Sequence, residues 1–158
     1  MLALAGLADA LARPGEFFPV VTAKDLNGQT HRTDELVGRR TLLVAITDKD
    51  AADAMRAWYA TAGSRMSPSV APESIISLHL PFFISTSIVR NQAREQVPPQ
   101  FWHATLLDRG DMAQHLGLEE SKTPYVFALD EDGRIKAVVH APVQSPQAEV
   151  IWTALSGL

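Results

Sequence analysis

The stretch TLLVAIT at 41–47 is almost wholly apolar and of strand length, the pattern of a central strand covered on both faces. Directly after it, over 50–62, Met55, Trp58, Tyr59 and Ala62 recur at i, i+3, i+4 and i+7, which is one apolar face of a helix. Before the run, Phe17 to Thr22 is β-like. Asp25-Leu26-Asn27-Gly28 marks a tight turn, and Gln29 to Arg32 returns as a second strand, Asn-Gly being a strong hairpin signal. Thr33-Asp34-Glu35-Leu36 forms a brief helical turn.

After the helix, the serine- and proline-rich stretch from Ser64 to Glu73 is expected to be a loop. Ser74 to Leu80 follows as a strand that Pro81 ends, then a helix from Ser85 to Val97 closed by Pro98-Pro99. His103 to Leu107 is a short strand, Asp111 to Leu116 a short helix with Gly117 as its terminal glycine, and Tyr125 to Leu129 a strand. Asp130-Glu131-Asp132-Gly133 turns that strand into another, Arg134 to His140. Ser145-Pro146 opens the last helix, with Val150, Ile151, Ala154 and Leu155 on one face. The order is a hairpin, then βαβα, then βαββα. Crossover helices imply parallel strands and the late hairpin an antiparallel addition. The expected fold is α/β, a central mixed β-sheet with helices on both faces and an N-terminal β-hairpin.

Composition narrows function more than fold. A chain of 158 residues suits one domain with a core of its own. Residues 17–158 are taken as that domain and 1–16 as an N-terminal helical extension. MLALAGLADALARPGE has a small-x-small site at Ala10-Leu11-Ala12 like the tail of a signal peptide. It lacks a basic leader and Asp9 interrupts it, so a short helix from Leu2 to Ala12, stopped by Pro14-Gly15, is expected. Location stays open: cytoplasmic by default, extracytoplasmic if this segment is a signal remnant. The net charge of -4, with no basic block, offers no footprint for nucleic acid, and no stretch has the length of a membrane-inserting helix. The absence of cysteine removes disulfides, thiolate nucleophiles and Cys-ligated metals together.

FPVVTAKDLNGQTHRTDELVGRRTLLVAI and LLDRGDMAQHLGLEESKTPYVFALDEDGRIKAVV, in that order, resemble the thioredoxin-like superfamily, nearest its peroxiredoxin and TlpA-like branch. The likeness covers 17–158 and implies the three-layer thioredoxin-like fold. PYVFALDEDGRIKAVV also resembles thioredoxin-like assembly factors of the mitochondrial ATP synthase. Thr123-Pro124 matches the position of the family's cis-proline, whose preceding loop pairs with extended peptides in redox relatives. The departure lies after the first core strand, where those relatives carry reactive cysteine. Here Lys49-Asp50-Ala51-Ala52-Asp53 stands instead. Carboxylates cannot attack a disulfide sulfur or form a sulfenic acid, so the family's chemistry is excluded.

The resemblance therefore points to a redox-inactive accessory, assembly or chaperone-like domain with a protein or peptide partner. Its candidate face is Asp50, Asp53, Trp58, Lys122, Thr123 and Pro124, with no catalytic residue, metal or cofactor assigned. Asp48, Asp50 and Asp53 also suit plain helix-start acids, which the positive end of a helix favours, with Thr47–Asp50 or Asp50–Asp53 as the capping pair. A non-thiol enzyme, or a small-ligand or metal binder, would use Asp50 and Asp53, or Asp108 with His115, Asp111 being expected to cap the helix that carries His115. A structural or oligomer-forming role is the third reading. His79, His103 and His140 are expected in strands and His31 exposed in the hairpin. Phe82-Phe83 and Phe101-Trp102 are expected to cover the rim of the core, or to form a partner surface if exposed.

Overall fold

The structure, a computed structural model, describes residues 12–157. One mixed sheet holds β1 Thr22–Asp25, β2 Thr30–Arg32, β3 Thr41–Ile46, β4 Ala71–Ser77, β5 Thr105–Asp108, β6 Tyr125–Leu129 and β7 Ile135–His140. The spatial order is β2-β1-β5-β4-β3-β6-β7. β3, β4 and β5 are parallel, while β1 joins β5, and β6 joins β3, antiparallel. The helices are α1 Ala52–Arg65, α2 Thr86–Gln96, α3 Asp111–Leu116 and α4 Ala148–Leu155.

All six residues of β3 are buried because the strand is paired on both sides and covered on both faces. Its period of two sends Leu42, Val44 and Ile46 to one layer and Leu43 and Ala45 to the other. The first layer meets Met55, Trp58 and Ala62 of α1 and Ile151, Trp152 and Leu155 of α4. The second meets Met112 and Leu116 of α3 and the incoming segment at Phe18 and Val21. Phe18 packs edge-on against Phe127 with ring centroids 5.2 Å apart.

Both hairpins use one device. Asp25 Oδ1 accepts from the N–H groups of Asn27 and Gln29, and Asp130 Oδ1 from those of Asp132 and Arg134. Each turn has its glycine at φ 84, the left-handed conformation that side chains resist (Gly28 and Gly133).

Several expectations need adjusting. Phe17 makes a single bridge to Arg134 and the strand starts only at Thr22, because Pro19 has no N–H to give a ladder. α1 runs on to Arg65, whose guanidinium donates to both oxygens of Glu149 on α4 at 2.9 and 2.7 Å. β4 starts at Ala71, which pairs with Thr41, so the loop is shorter than composition suggested. β4 ends at Ser77, which leaves His79 exposed beyond it, and His103 lies exposed in a 3-10 turn, Pro99–Ala104. The expected helix Leu2 to Ala12 falls, all but its last residue, outside the described residues.

Candidate functional site

The C-terminal end of β3 meets the start of α1 and the loop before β6. Thr47 joins them: its hydroxyl donates to Glu119 O at 3.1 Å and accepts from the Ser121 N–H at 2.8 Å. Tyr125 adds a bond from its hydroxyl to Glu119 O at 2.8 Å. Thr47 therefore anchors the loop and does not cap the helix.

The cap is Asp48, whose carboxylate accepts from the Asp50 N–H at 2.8 Å. A 3-10 turn over Lys49–Ala51 follows, and α1 proper begins at Ala52. Asp50 faces outward to Lys122 Nζ at 3.7 Å, and Asp53, on the next turn, pairs with Arg56. The two aspartates point to different cations and do not converge. Trp58 is a correction: it is fully buried, lies 5.3 Å from the Trp152 ring, and donates its indole N–H to Ala141 O at 3.0 Å. It belongs to the core and cannot take part in a binding face, because the apolar stripe that makes α1 a helix turns it inward.

Lys122 is exposed, Thr123 half-buried and Pro124 buried. No described peptide bond is cis, so the bond before Pro124 is trans, unlike the geometry the resemblance implied. The Thr123 N–H donates to Ser121 Oγ at 3.1 Å, and its carbonyl accepts from His140 Nε2 at 3.1 Å. A carbonyl only accepts, so this bond requires the His140 tautomer with its proton on Nε2. The imidazole stacks on Tyr125 at 4.0 Å between centroids and also sits 2.9 Å from Ser121 Oγ. The adjacent strand β7 thus closes the loop with a side chain. Nothing local to 121–124 signalled this, since His140 is 17 residues away along the chain.

The second candidate pair does not assemble. Asp108 is consumed at the start of α3, accepting from the N–H groups of Gly110 and Met112 and from the Ser77 hydroxyl. That makes Asp108, not Asp111, the capping acid. His115 is exposed and has no bond to Asp108. Among the described residues, no group of three or more His, Asp or Glu is placed to hold a metal ion, and no helix is long and apolar enough to cross a membrane.

His31 is half-buried instead of exposed, its Nε2 2.6 Å from Asp25 Oδ2. Phe82 and Phe83, in contrast, are 94% and 72% exposed, so they do not cover the core rim. Their loop is held by Arg109, whose guanidinium bonds the carbonyls of Leu80, Pro81 and Ile84. Trp102 does pack on the core, its indole N–H donating to Val97 O at 2.8 Å.

Solved structures share this architecture. A putative electron transfer protein from Aquifex aeolicus VF5 superposes with a TM-score of 0.64 at 15% identity, over 92% of this chain and 100% of that one. The fold is thioredoxin-like. A putative thiol:disulfide interchange protein DsbE from Chlorobium tepidum (TM-score 0.60, 13% identity, 92% and 99% covered) has the same thioredoxin-like arrangement. So does BsSco, of the Sco family of cytochrome c oxidase assembly proteins (TM-score 0.61, 11% identity, 91% and 95% covered). No family model matches the chain, and no curated protein does. In this thioredoxin-like chain the end of β3 and the start of α1 carry no cysteine, only Asp48, Asp50 and Asp53.

Proposed function

We propose that the chain is a redox-inactive thioredoxin-like domain that binds an extended protein segment along Lys122-Thr123-Pro124, as an accessory or assembly factor. The observation that carries this reading is how Thr123 is satisfied. Among the described residues, its N–H and C=O, the two groups an added strand would engage, are held by the side chains of Ser121 and His140 and by no backbone group. A side-chain bond is exchanged for a backbone bond at little net cost. The Sco neighbour belongs to a family of cytochrome c oxidase assembly proteins and has a disulfide switch; an assembly role here would have to work without one, since the chain has no cysteine.

The test is selection of extended peptides from a random display library on the wild type, with backbone amide shifts mapping where they sit. Enriched peptides should shift Ser121, Lys122 and Thr123. His140→Ala, which frees the Thr123 carbonyl, should tighten binding by roughly three- to tenfold, the value of one hydrogen bond no longer displaced. Peptides that shift amides elsewhere, or bind His140→Ala no better than wild type, sink the reading.

A further inference from the structure

Helix α2 lies over the sheet without burying a single residue. A channel runs beneath it. Its mouth lies at the C-terminal edge of the sheet, beside Lys49 and Asp50, and its floor is Ile46, Ile76, Leu78 and Leu107, enclosing about 270 Å³. A further stretch of about 330 Å³ continues between Tyr59, Pro72 and Phe101. Met55, Arg56, Gln96 and Val97 line both. The neck between them is one side-chain bond, Arg56 Nη1 to Gln96 Oε1 at 3.1 Å.

The chemistry changes along this channel. In the far stretch the hydroxyls are already engaged. Tyr59 donates to Glu73 O at 2.5 Å and lies 2.8 Å from Ser74 Oγ, while Thr105 donates to Phe101 O at 2.8 Å. Apart from Arg56 and Gln96 at the neck, that stretch therefore offers an occupant mainly apolar surface. The mouth is different. Asp50 is turned to Lys122, whereas the Lys49 ammonium makes no ion pair or hydrogen bond among the described residues. Arg56 reaches the same space from the neck. Arg56 is shared between Asp53 and Gln96, and Asp50 is paired with Lys122, so Lys49 is the cation of the lining left without a partner among the described residues.

We propose that this channel binds a linear aliphatic monocarboxylate, its carboxylate at the Lys49 ammonium and its tail under α2 toward Phe101. Two largely apolar stretches lying end to end suit a flexible chain. The two stretches together fall within the ~300–1,000 Å³ range of small-molecule sites. Lifting α2 exposes no fully buried residue; what it breaks are the bonds from Arg90 and Arg94 to the carbonyls of Asp25 and Leu26. This site meets the 121–124 loop only through the Asp50–Lys122 pair at its mouth, and it stands whether or not that loop binds peptide.

The test is calorimetric titration of the full chain with decanoate and, separately, decanol, together with methyl shifts of Val89, Ala93 and Val97. Decanoate should bind one to one, at least fivefold tighter than decanol, and shift those methyls. Lys49→Gln, an exposed position, should weaken decanoate several-fold and leave decanol unchanged. Ala93→Trp, which fills the channel from α2, should lose decanoate more than tenfold. The methyl shifts decide the location even if that variant folds poorly. No decanoate binding to the wild type overturns the assignment, as does equal binding of decanol. Saturable binding that leaves the three methyls unmoved places the ligand elsewhere and overturns it too.

Discussion

Asp25 has no exposed surface and yet stays ionised. Burial pushes its carboxyl up, but the Gln29 N–H, the His31 ring and the Asn27 N–H outweigh that and hold it below the ordinary value. The same bond raises the His31 imidazole against its partial burial, with Glu35 helping. Glu73 meets the opposite environment: burial first, then the negative charges of Glu35 and Asp25, drive it from 4.5 to about 8. The signs follow from linkage. A raised histidine contributes stability below its unfolded value of about 6.5, and that contribution is lost as pH climbs through the folded one. The lowered Asp25 contributes above its unfolded value and is lost in acid. A raised carboxyl binds its proton more tightly when folded, so Glu73 withdraws stability between pH 4.5 and about 8. His31→Ala should therefore cost about 1–2 kcal/mol at pH 5 and far less at pH 9, the worth of a charge-assisted bond. Glu73→Gln should gain ~1–3 kcal/mol at pH 9 and nearly nothing at pH 4. Urea denaturation across that range is the measurement. An equal cost of His31→Ala at both pH values would show that the pair acts by packing alone.

Elements differ in how far their own residues determine them. β3, the two Asp-led hairpins and α3 were legible because their signals are local: an apolar run, an Asx turn with a left-handed glycine, a terminal Gly117. The start of β4 was not, because Ala71 becomes strand only by pairing with Thr41, far back along the chain. Trp58 shows the same limit at the candidate site. Its helical periodicity correctly predicts an inward face, and position beside the β3–α1 junction cannot override that. The trans bond before Pro124 and the capping of Thr123 by His140 are likewise tertiary facts. α2 buries no residue: it rests on half-buried Val89 and Ala93 and is tied by Arg90 and Arg94, which donate to the carbonyls of Asp25 and Leu26, while its start is capped by the Ser85 hydroxyl, which accepts from the Ile88 N–H at 3.3 Å. Its amides should exchange with deuterium well before those of α1, whose Met55, Trp58 and Ala62 are buried. Ser85→Ala should cost about 1 kcal/mol locally and speed α2 exchange several-fold without altering β3. Uniform protection across α1 and α2 would mean that the channel closes in solution.

At the scale of the whole molecule, one sheet separates two cores, and β3, β4 and β6 contribute to both. A strand cannot lose the residues of one face while keeping those of the other, since the same backbone ladder fixes both sets. The two layers should therefore unfold as one unit. The chain carries a built-in reporter: Trp58 and Trp152 belong to the α1/α4 layer and Trp102 packs against it, so tryptophan fluorescence sees only that side. Phe127 lies on the other side, fully buried against Phe18. Phe127→Ala should cost about 3–5 kcal/mol, the usual loss for a large buried ring. Its fluorescence and far-UV transitions should shift together to lower denaturant, with the slope unchanged. If fluorescence kept its wild-type midpoint while far-UV signal melted early, the α1/α4 layer would be a separate unit. The channel under α2 would then rest on a scaffold independent of the Phe18 side.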